Sequence, residues 1–474
     1  MDNDNITLSR QGIINRIFCV LMVLLLSSVE VWADTVNYMQ YNVGSDSFSS
    51  VTANATAISN SITELGTDGN TTYYYVNGDI TCTSRITVNG NVHLILVDGK
   101  SLTANDGIYV PHGSSLTIYG QSGNTGTLTA TGSTEGHSGI GGNENQHESA
   151  SGDITINGGT INATGYNGGA GIGTGHNGDG SGLTITINGG IITATGGACS
   201  GNGAGAGIGS GYQRNNGTII IRGGKITANG ATASGQWSAG IGAGSYDYHG
   251  GNAGNITITG GQITATGGGN NSGIGYGWNG SSGNISLSCS RVDDYIQSTG
   301  YTGTTSVADG KELLVFNGTT LEKVVSGSNP SDIGGKTLRM ANYCGASGEN
   351  AKNVVWYLTN DILHIEKNPT SSTGAMANYT SSTERPWFSY SEEISTLIIG
   401  DGVATIGNNA FSYFSNLTSV TIGSGVTSIG NYAFDHSFSS TVPTSITIPT
   451  SVTTIGQYAI AIVQELSTLS LLIR

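Results

Sequence analysis

The middle of the chain is built from short runs in which apolar and polar residues alternate. Four runs share one layout, a strand, a pair of glycines and a second strand, and they span residues 153–165, 183–196, 218–230 and 255–267. In each run Ile or Ala alternates with Thr or Asn, which places apolar side chains on one side of a strand. The double glycines begin at positions 158, 189, 223 and 260. Repeats of this length predict stacked coils, that is, a solenoid.

A second mark completes each coil. The tripeptide Gly-Ile-Gly begins at positions 139, 171, 207, 240 and 273, after each strand pair and once before the first pair. Three short β segments per coil, with a variable loop after the third, predict an all-β fold, a right-handed parallel β-helix over residues 73–289. The double glycines are expected where a tight turn needs a positive φ or a close approach of two backbones.

The segment before the solenoid shows a different spacing. Val51, Ile58, Ile62 and Leu65 recur at helical intervals, and Gly66 follows as a stop signal. An open solenoid end leaves a coil unpaired. We therefore predict that residues 34–72 form an N-terminal cap containing one α-helix.

The first 33 residues have the pattern of a secretion signal. Arg10 and Arg16 precede an apolar run over residues 17–26, and Ala33 stands where cleavage is expected. That run is too short to span a bilayer, and no later segment is apolar enough for a transmembrane helix. The pattern predicts an extracellular or cell-surface protein.

A second repeat begins after an irregular β segment over residues 290–345. Residues 394–411, 417–434 and 445–460 each contain two short strands, a glycine at position 407, 430 or 456, and an Ala-Phe or Ala-Ile ending. This phrase resembles the BspA-type leucine-rich repeat of bacterial surface proteins. The lead-in also matches the family, at Trp356-Tyr-Leu, Gly374-Ala-Met376, Pro386-Trp387 and Ile399-Gly-Asp-Gly-Val403.

The resemblance covers about residues 343–460 and implies a surface protein that adheres to host or matrix proteins, with no catalytic residues. Residues 346–474 are assigned to this array. Only three copies are counted, and the tail over residues 461–474 departs from the pattern, so we expect the array to be truncated. The glycine-rich β-helix resembles the repeats of carbohydrate-binding β-helix proteins.

Composition narrows the choice of partners. The formal net charge is −15 and only 10% of the 474 residues are charged, so an acidic surface disfavours nucleic acid. The four cysteines that follow the signal, Cys82, Cys199, Cys289 and Cys344, are far apart and contain no CxxC pair. No metal site or cofactor is predicted. One disulfide is allowed in an exported chain, and its pairing stays open.

Parallel β-helices include polysaccharide lyases and hydrolases, which need acids on neighbouring coils. In the four strand pairs only Asp153 is acidic, and the one basic pair, Arg222 and Lys225, flanks a turn. We interpret that pair as solvated turn charges. The histidines lie singly in glycine-rich loops. No catalytic residue is predicted.

The aromatic residues of the four coils all fall outside the strand pairs, in the third-segment and loop stretches. If the coils stack in register, their rings project from one side and contact sugar faces while Asn and Thr bind hydroxyl groups. The alternative is that the rings cover the coil below. The predicted ligand-binding residues are Tyr166, Tyr212, Trp237, Tyr246, Tyr248, Tyr276 and Trp278.

These patterns together predict a non-catalytic secreted or cell-surface binding protein whose partner is a polysaccharide, a glycoprotein or a matrix protein. Two alternatives stay open. One is a structural surface protein without a glycan ligand, and the other is a polysaccharide lyase or hydrolase.

Overall fold

The computed structural model describes residues 33–145, 151–178, 180–199, 203–212, 216–246, 249–280, 283–438, 445–460 and 470–473. Almost all regular structure in these ranges is β-strand, with three short 3₁₀ helices at Gly348–Asn350, Ser382–Glu384 and Phe388–Tyr390. The helices found there are too short and too polar to cross a membrane. The predicted signal sequence lies outside the described residues, apart from Ala33.

The glycine-rich part is a solenoid with three faces, as predicted. On the first face, strands from successive coils pair side by side and in parallel; they are Glu64–Val76, Ile86–Leu96, Ser115–Gly120, Asp153–Ile156, Thr184–Ile187, Thr218–Ile221, Asn255–Ile258, Asn284–Leu287 and Thr304–Val307. On the second face the strands are Asp79–Cys82, Ser101–Ala104, Thr127–Thr131, Thr160–Thr164, Ile191–Thr195, Lys225–Asn229, Gln262–Thr266 and Tyr295–Ser298. The third face holds two-residue strands, Ile108–Tyr109, Ile140–Gly141, Ile172–Gly173, Ile208–Gly209, Ile241–Gly242, Ile274–Gly275 and Tyr301–Thr302.

The solenoid core is a set of isoleucine rows. Pairing places Ile154, Ile185 and Ile219 one above the other, and the second and third faces add equivalent rows. These three side chains are fully buried. Complete burial of an isoleucine is worth about 1.5–3 kcal/mol relative to an exposed one. The alternation seen in the sequence therefore becomes an inward apolar row and an outward polar row on each face.

The glycines of the third face allow the coils to approach each other. Gly209 has a φ of +133°, and a Cβ placed there would lie 1.9 Å from the carbonyl oxygen of Gly242 on the next coil. The same close approach recurs at the equivalent glycine of the neighbouring coils. In each of the four double glycines the second residue has a positive φ, between +87° and +103°. The expectation of a positive φ at the double glycines is therefore confirmed.

The predicted N-terminal helix is wrong. Residues 51–57 lie in the strand Ser47–Ala57, which pairs antiparallel with Asp34–Asn42 to form a hairpin. Val51, Ala53 and Ala55 alternate with polar residues, which is the period of a strand. This period prevails over the helical spacing because a strand hairpin can pack its apolar side on the solenoid. Ile58 and Leu65, by contrast, are buried in the solenoid core beside the first coils.

The hairpin lies across the outside of the first face. Tyr38 meets the ring of Tyr119 edge to face, with ring centroids 4.4 Å apart, and Val36, Ala55, Tyr75 and Ile95 complete this apolar cluster. Near the hairpin turn, the Phe48 ring covers Gly189, where a Cβ would lie 2.8 Å from the Phe48 Cζ atom. The hairpin therefore spans several coils, and the end of its second strand pairs in parallel with Glu64–Val76 of the first face.

The C-terminal end of the second face turns antiparallel. Thr337–Met340 pairs with Tyr295–Ser298 and with Leu313–Asn317, which in turn pairs with Thr320–Val325. Leu314 and Phe316 on this end pack against Val355 and Tyr357 of the following repeat region, and all four are buried. This apolar seam joins the two solenoids.

The second repeat also forms coils. Its main sheet contains Asn342–Tyr343, Val354–Thr359, Ile362–Lys367, Thr396–Ile399, Ser419–Ile422, Ser445–Ile448 and Ser470–Ile473, and a second row contains Thr405–Ile406, Ser428–Ile429 and Thr454–Ile455. The Phe411 and Phe434 rings are fully buried and stack on each other, with centroids 5.4 Å apart. The residues around these rings form turns.

The described part of the tail, residues 470–473, continues the strand pattern, contrary to the sequence-based expectation. Ser470–Ile473 pairs in parallel with Ser445–Ile448, in the place that the next coil would occupy. Backbone hydrogen bonds between strands do not require particular side chains. A coil can therefore continue where the sequence no longer matches the repeat.

Substitution of Gly209 by alanine should destabilise the solenoid by about 3 kcal/mol or more, because the new methyl group collides with a backbone carbonyl and the positive φ is strained. Urea denaturation followed by circular dichroism would measure this change.

The matched control is Gly182→Ala. Gly182 also has a positive φ, +90°, but a Cβ there meets nothing within 4 Å. Only the backbone strain of about 1 kcal/mol is expected. Equal effects of the two substitutions would show that close coil contact at Gly209 is not what stabilises the stack.

Candidate functional site

The loops beside the third face carry most of the predicted ligand-binding residues. Tyr166 and Trp237 precede a third-face strand in their coils, whereas Tyr212 and Trp278 follow one. A small apolar cluster of Ala204, Ala231 and Ala233 lies under the loop that carries Trp237. The loops are therefore packed elements that hold their rings in defined positions.

Trp237 and Trp278 come together from consecutive coils. Their rings meet edge to face with centroids 4.7 Å apart, and the backbone N–H of Trp278 donates to the Trp237 carbonyl at 3.0 Å. Gly269 lies directly against the Trp237 ring, since a Cβ there would be 2.2 Å from the indole Nε1. Both tryptophans are half-buried. They form a fixed aromatic corner that is open to solvent on part of its surface.

Tyr212 pairs with a histidine instead of another predicted residue. Its ring lies against His176 with centroids 4.1 Å apart and tilted by 48°. Gly203 fits under the Tyr212 ring, where any Cβ would overlap the ring carbons. His176 and Tyr212 occupy equivalent positions of consecutive coils, after the third-face strand. The row of rings therefore includes an imidazole that sequence reasoning had treated as a lone loop histidine.

The remaining predicted residues do not join these pairs. Tyr166 is 50% exposed, and Tyr276 is packed partly against the isoleucine core. Tyr246 lies in the short strand Ser245–Tyr246, which pairs with Gly203–Ala204. Tyr248 lies outside the described residues. The assignment of all seven residues to one binding surface stays a prediction.

Two loop carboxylates, Asp98 and Asp106, bind backbone N–H groups of turns. Asp106 accepts hydrogen bonds from the backbone N–H groups of Ser133 and Thr134, both at 2.9 Å, and contacts the His137 Nδ1 at 3.1 Å. Burial raises the pKa of the Asp106 carboxyl, but these hydrogen bonds outweigh it and hold the pKa at about 2. Asp98 binds the N–H groups of Gly123 and Thr125 in the same way. Such acids are unsuited to donating a proton near neutral pH.

Cys199 and His176 lie close to each other, as a nucleophile and its general base would. The Cys199 sulfur is 4.0 Å from the His176 Nδ1, and that nitrogen also lies 3.1 Å from the Asn167 carbonyl oxygen. A carbonyl can only accept, so Nδ1 carries the proton and cannot take one from the thiol. Burial, with the charges of Glu135 and Glu144, raises the pKa of the Cys199 thiol to about 11. This is the reverse of an activated cysteine.

Within the described ranges, no group of three or more His, Cys, Asp or Glu side chains could hold a metal ion. Cys82, Cys199, Cys289 and Cys344 are all free thiols, and three of them are buried. No two of these four cysteines are joined by a disulfide in this structure.

Sequence reasoning missed three exposed tyrosines on the second solenoid. Tyr413, Tyr432 and Tyr458 are 59%, 37% and 56% exposed, and the last two stack on each other with centroids 5.3 Å apart. The sequence does contain a feature that points to two of them. A tyrosine follows two residues after the repeat glycine in two copies, after Gly430 and after Gly456. Sequence reasoning also missed a cleft of about 780 Å³ where the two solenoids meet.

Comparison with known proteins identifies both repeats. Residues 381–472 match the family described as "BspA type Leucine rich repeat region (6 copies)". Residues 154–176, 185–212, 219–245 and 256–275 match the family described as "Beta helix repeat". The match includes the three repeats counted in the sequence and extends beyond them to residue 472 in the tail. Each β-helix match runs from a first-face strand to a third-face strand or the loop after it.

One solved structure is similar in sequence to part of the chain. It is a leucine-rich repeat protein from Eubacterium ventriosum ATCC 27560, 26% identical over 27% of this chain and 40% of that one, with a TM-score of 0.20. The chain thus spans less than half the length of that protein. No curated protein matches this chain. The two repeats together suggest a surface or adhesion-type repeat protein. The BspA type is generally non-enzymatic, whereas β-helix repeats also occur in some hydrolases and lyases.

The raised pKa of Cys199 predicts slow alkylation. At pH 8 a thiol with a pKa of about 11 is about a hundredfold less ionised than an ordinary cysteine, so iodoacetamide should modify it about a hundredfold more slowly than free cysteine. The rate should rise steadily as the pH increases towards 11. Mass spectrometry of the Cys199 peptide would measure it.

The control is His176→Ala, which should leave the rate of Cys199 alkylation nearly unchanged. A large fall in that rate would mean that His176 activates the thiol.

Proposed function

We propose that this chain is a non-catalytic, extracellular or cell-surface binding protein, and that the glycine-rich solenoid recognises a glycan through the Trp237–Trp278 corner. The observation that carries the proposal is the fixed, partly exposed pair of indole rings on the loop side of the coils. Tryptophan combines a large apolar face with a polar N–H group, which suits the apolar C–H face and the hydroxyl groups of a sugar.

The surroundings of the corner support a neutral, hydroxyl-rich ligand. Thr232 lies opposite Trp237 in a short antiparallel pair, and Asn270 and Asn279 adjoin the residues that hold the two rings. All three are exposed, and none carries a charge. Amide and hydroxyl groups both donate and accept hydrogen bonds, as sugar hydroxyls do.

The non-catalytic part of the proposal rests on how the reactive groups are used. Asp98 and Asp106 bind backbone N–H groups, and the Cys199 thiol has a raised pKa beside a nitrogen that already donates. The adhesion part rests on the BspA-type repeats together with the basic and apolar pattern of the first 33 residues. Host glycoproteins and matrix proteins present both glycan and protein to such a surface.

The double substitution Trp237→Ala/Trp278→Ala in the full chain should reduce glycan binding at least about tenfold, because each aromatic contact contributes on the order of 1 kcal/mol. Glycan-array screening would identify the ligand, and titration calorimetry would measure the loss. Circular dichroism of the variant verifies the fold.

The matched control is Tyr413→Ala, which removes an exposed ring from the second solenoid. Unchanged binding is expected for this variant. Loss of binding in Tyr413→Ala alone would move the glycan site to the leucine-rich array, and absence of any glycan ligand for the wild type would favour a structural surface protein.

Incubation with pectins and other uronate-containing polysaccharides should release neither reducing ends nor unsaturated uronates. Reducing-sugar and ultraviolet-absorbance assays measure the two products. Turnover above the no-protein background by purified chain would contradict the non-catalytic proposal and establish the lyase or hydrolase alternative.

A further inference from the structure

The cleft between the two solenoids is a second candidate binding site, separate from the tryptophan corner. One wall is the outward row of the second face, where Lys225, Gln262 and Tyr295 lie on consecutive coils. The other wall is the turn after Val354–Thr359 together with the segment around Tyr390 and Glu393. The volume of about 780 Å³ is enough for several sugar residues or a short peptide.

Basic side chains are concentrated in this cleft. Lys225, Arg291 and Arg339 line it, three of the sixteen Lys and Arg residues of the chain, against only two of its thirty-one Asp and Glu residues, Asp293 and Glu393. The cleft has one net positive charge within a chain whose formal charge is −15. An anion is therefore drawn to this part of an otherwise acidic protein.

These cations are not used in the ion pairs that the described residues form. Those pairs involve Lys323, Lys336 and Lys352, apart from two histidine contacts. Lys225 and Arg291 are exposed at the rim of the cleft. From the sequence, Arg222 and Lys225 were interpreted as solvated turn charges. The structure places Lys225 on the wall of a cleft that Arg291 and Arg339 also line.

The floor of the cleft is rigid. Arg339 donates to the Leu358 carbonyl at 3.2 Å and lies over the Tyr295 ring, with its guanidinium carbon 5.5 Å from the ring centroid. Val292, next to Arg291, packs against the core of the leucine-rich solenoid. The Asp293 carboxylate accepts from the Gln262 amide at 3.4 Å, which holds it to the wall of the cleft. The site is therefore preformed.

We propose that this cleft binds an acidic polysaccharide, with Lys225, Arg291 and Arg339 contacting carboxylate or sulfate groups. Guanidinium groups bind such anions through paired hydrogen bonds. Tyr295 and Tyr390 supply aromatic surface for sugar rings, and the amides of Gln262 and Asn360 supply groups for hydroxyls. The proposal does not depend on the Trp237–Trp278 corner.

An acidic peptide fits less well. Peptides that bind β-structures usually pair with a free strand edge. Here Lys225–Asn229, Gln262–Thr266 and Tyr295–Ser298 are each paired with strands on both sides, so this wall offers no such edge. The apolar lining is confined to a few side chains, whereas peptide anchors need apolar pockets.

The test compares binding of the full chain to polygalacturonate, to uncharged dextran and to poly-glutamate. We expect polygalacturonate to bind most tightly, and Lys225→Glu/Arg291→Glu to weaken it by about tenfold or more, since two attractions become repulsions. The control Lys100→Glu/Lys311→Glu makes the same change in net charge at exposed cations outside the cleft and should alter the affinity less than about twofold.

Lys225→Gln/Arg291→Gln removes the charges without adding repulsion and provides the measurement if the Glu variant fails to fold. Equal losses in the cleft and control variants would reduce the effect to overall charge and overturn the proposal. Binding of poly-glutamate as tightly as polygalacturonate, or of dextran as tightly, would also overturn it. Variants of the tryptophan corner should bind polygalacturonate normally, which separates this test from that of the proposed function.

Discussion

The fold depends on parallel pairing that places equivalent residues of successive coils one above the other, about 4.8 Å apart. Ile154, Ile185 and Ile219 form one buried row because of this register, and every other row follows from it. The third face imposes the strictest condition, since its backbones approach so closely that Gly209 has room for no Cβ. Glycine is therefore frequent in this chain for a reason of packing as well as of turn geometry.

The same register shapes what the molecule can do. Repetition brings Trp237 and Trp278 together, and sets Tyr212 on His176, without any local sequence signal for either contact. It also places acidic side chains where they bind backbone groups of the next coil. At Asp106, hydrogen bonds from the next coil hold the carboxylate in its charged form. A scaffold of this kind displays equivalent side chains of successive coils in regular rows.

The apolar seam between the solenoids adds a feature that neither repeat contains alone. Leu314 and Phe316 pack against Val355 and Tyr357, so the end of the β-helix and the start of the leucine-rich array are held side by side. Their junction encloses the cleft with Lys225 on one wall and Glu393 on the other. Adhesion proteins built from two repeat types can thus present one surface on each solenoid and another where the solenoids meet.

Alternation and repeat length are local properties of the chain, so they predict the two solenoids, their faces and most of the buried rows. The sequence also located the loops that carry the rings. The strand over residues 51–57 depends on long-range packing. Val51, Ala53 and Ala55 satisfy a period of two when a flat surface lies beneath them. The ring pairs and the basic cleft likewise depend on which loops and which solenoid become neighbours. A periodic pattern specifies the spacing of residues along the chain, but it does not specify which distant residues come into contact.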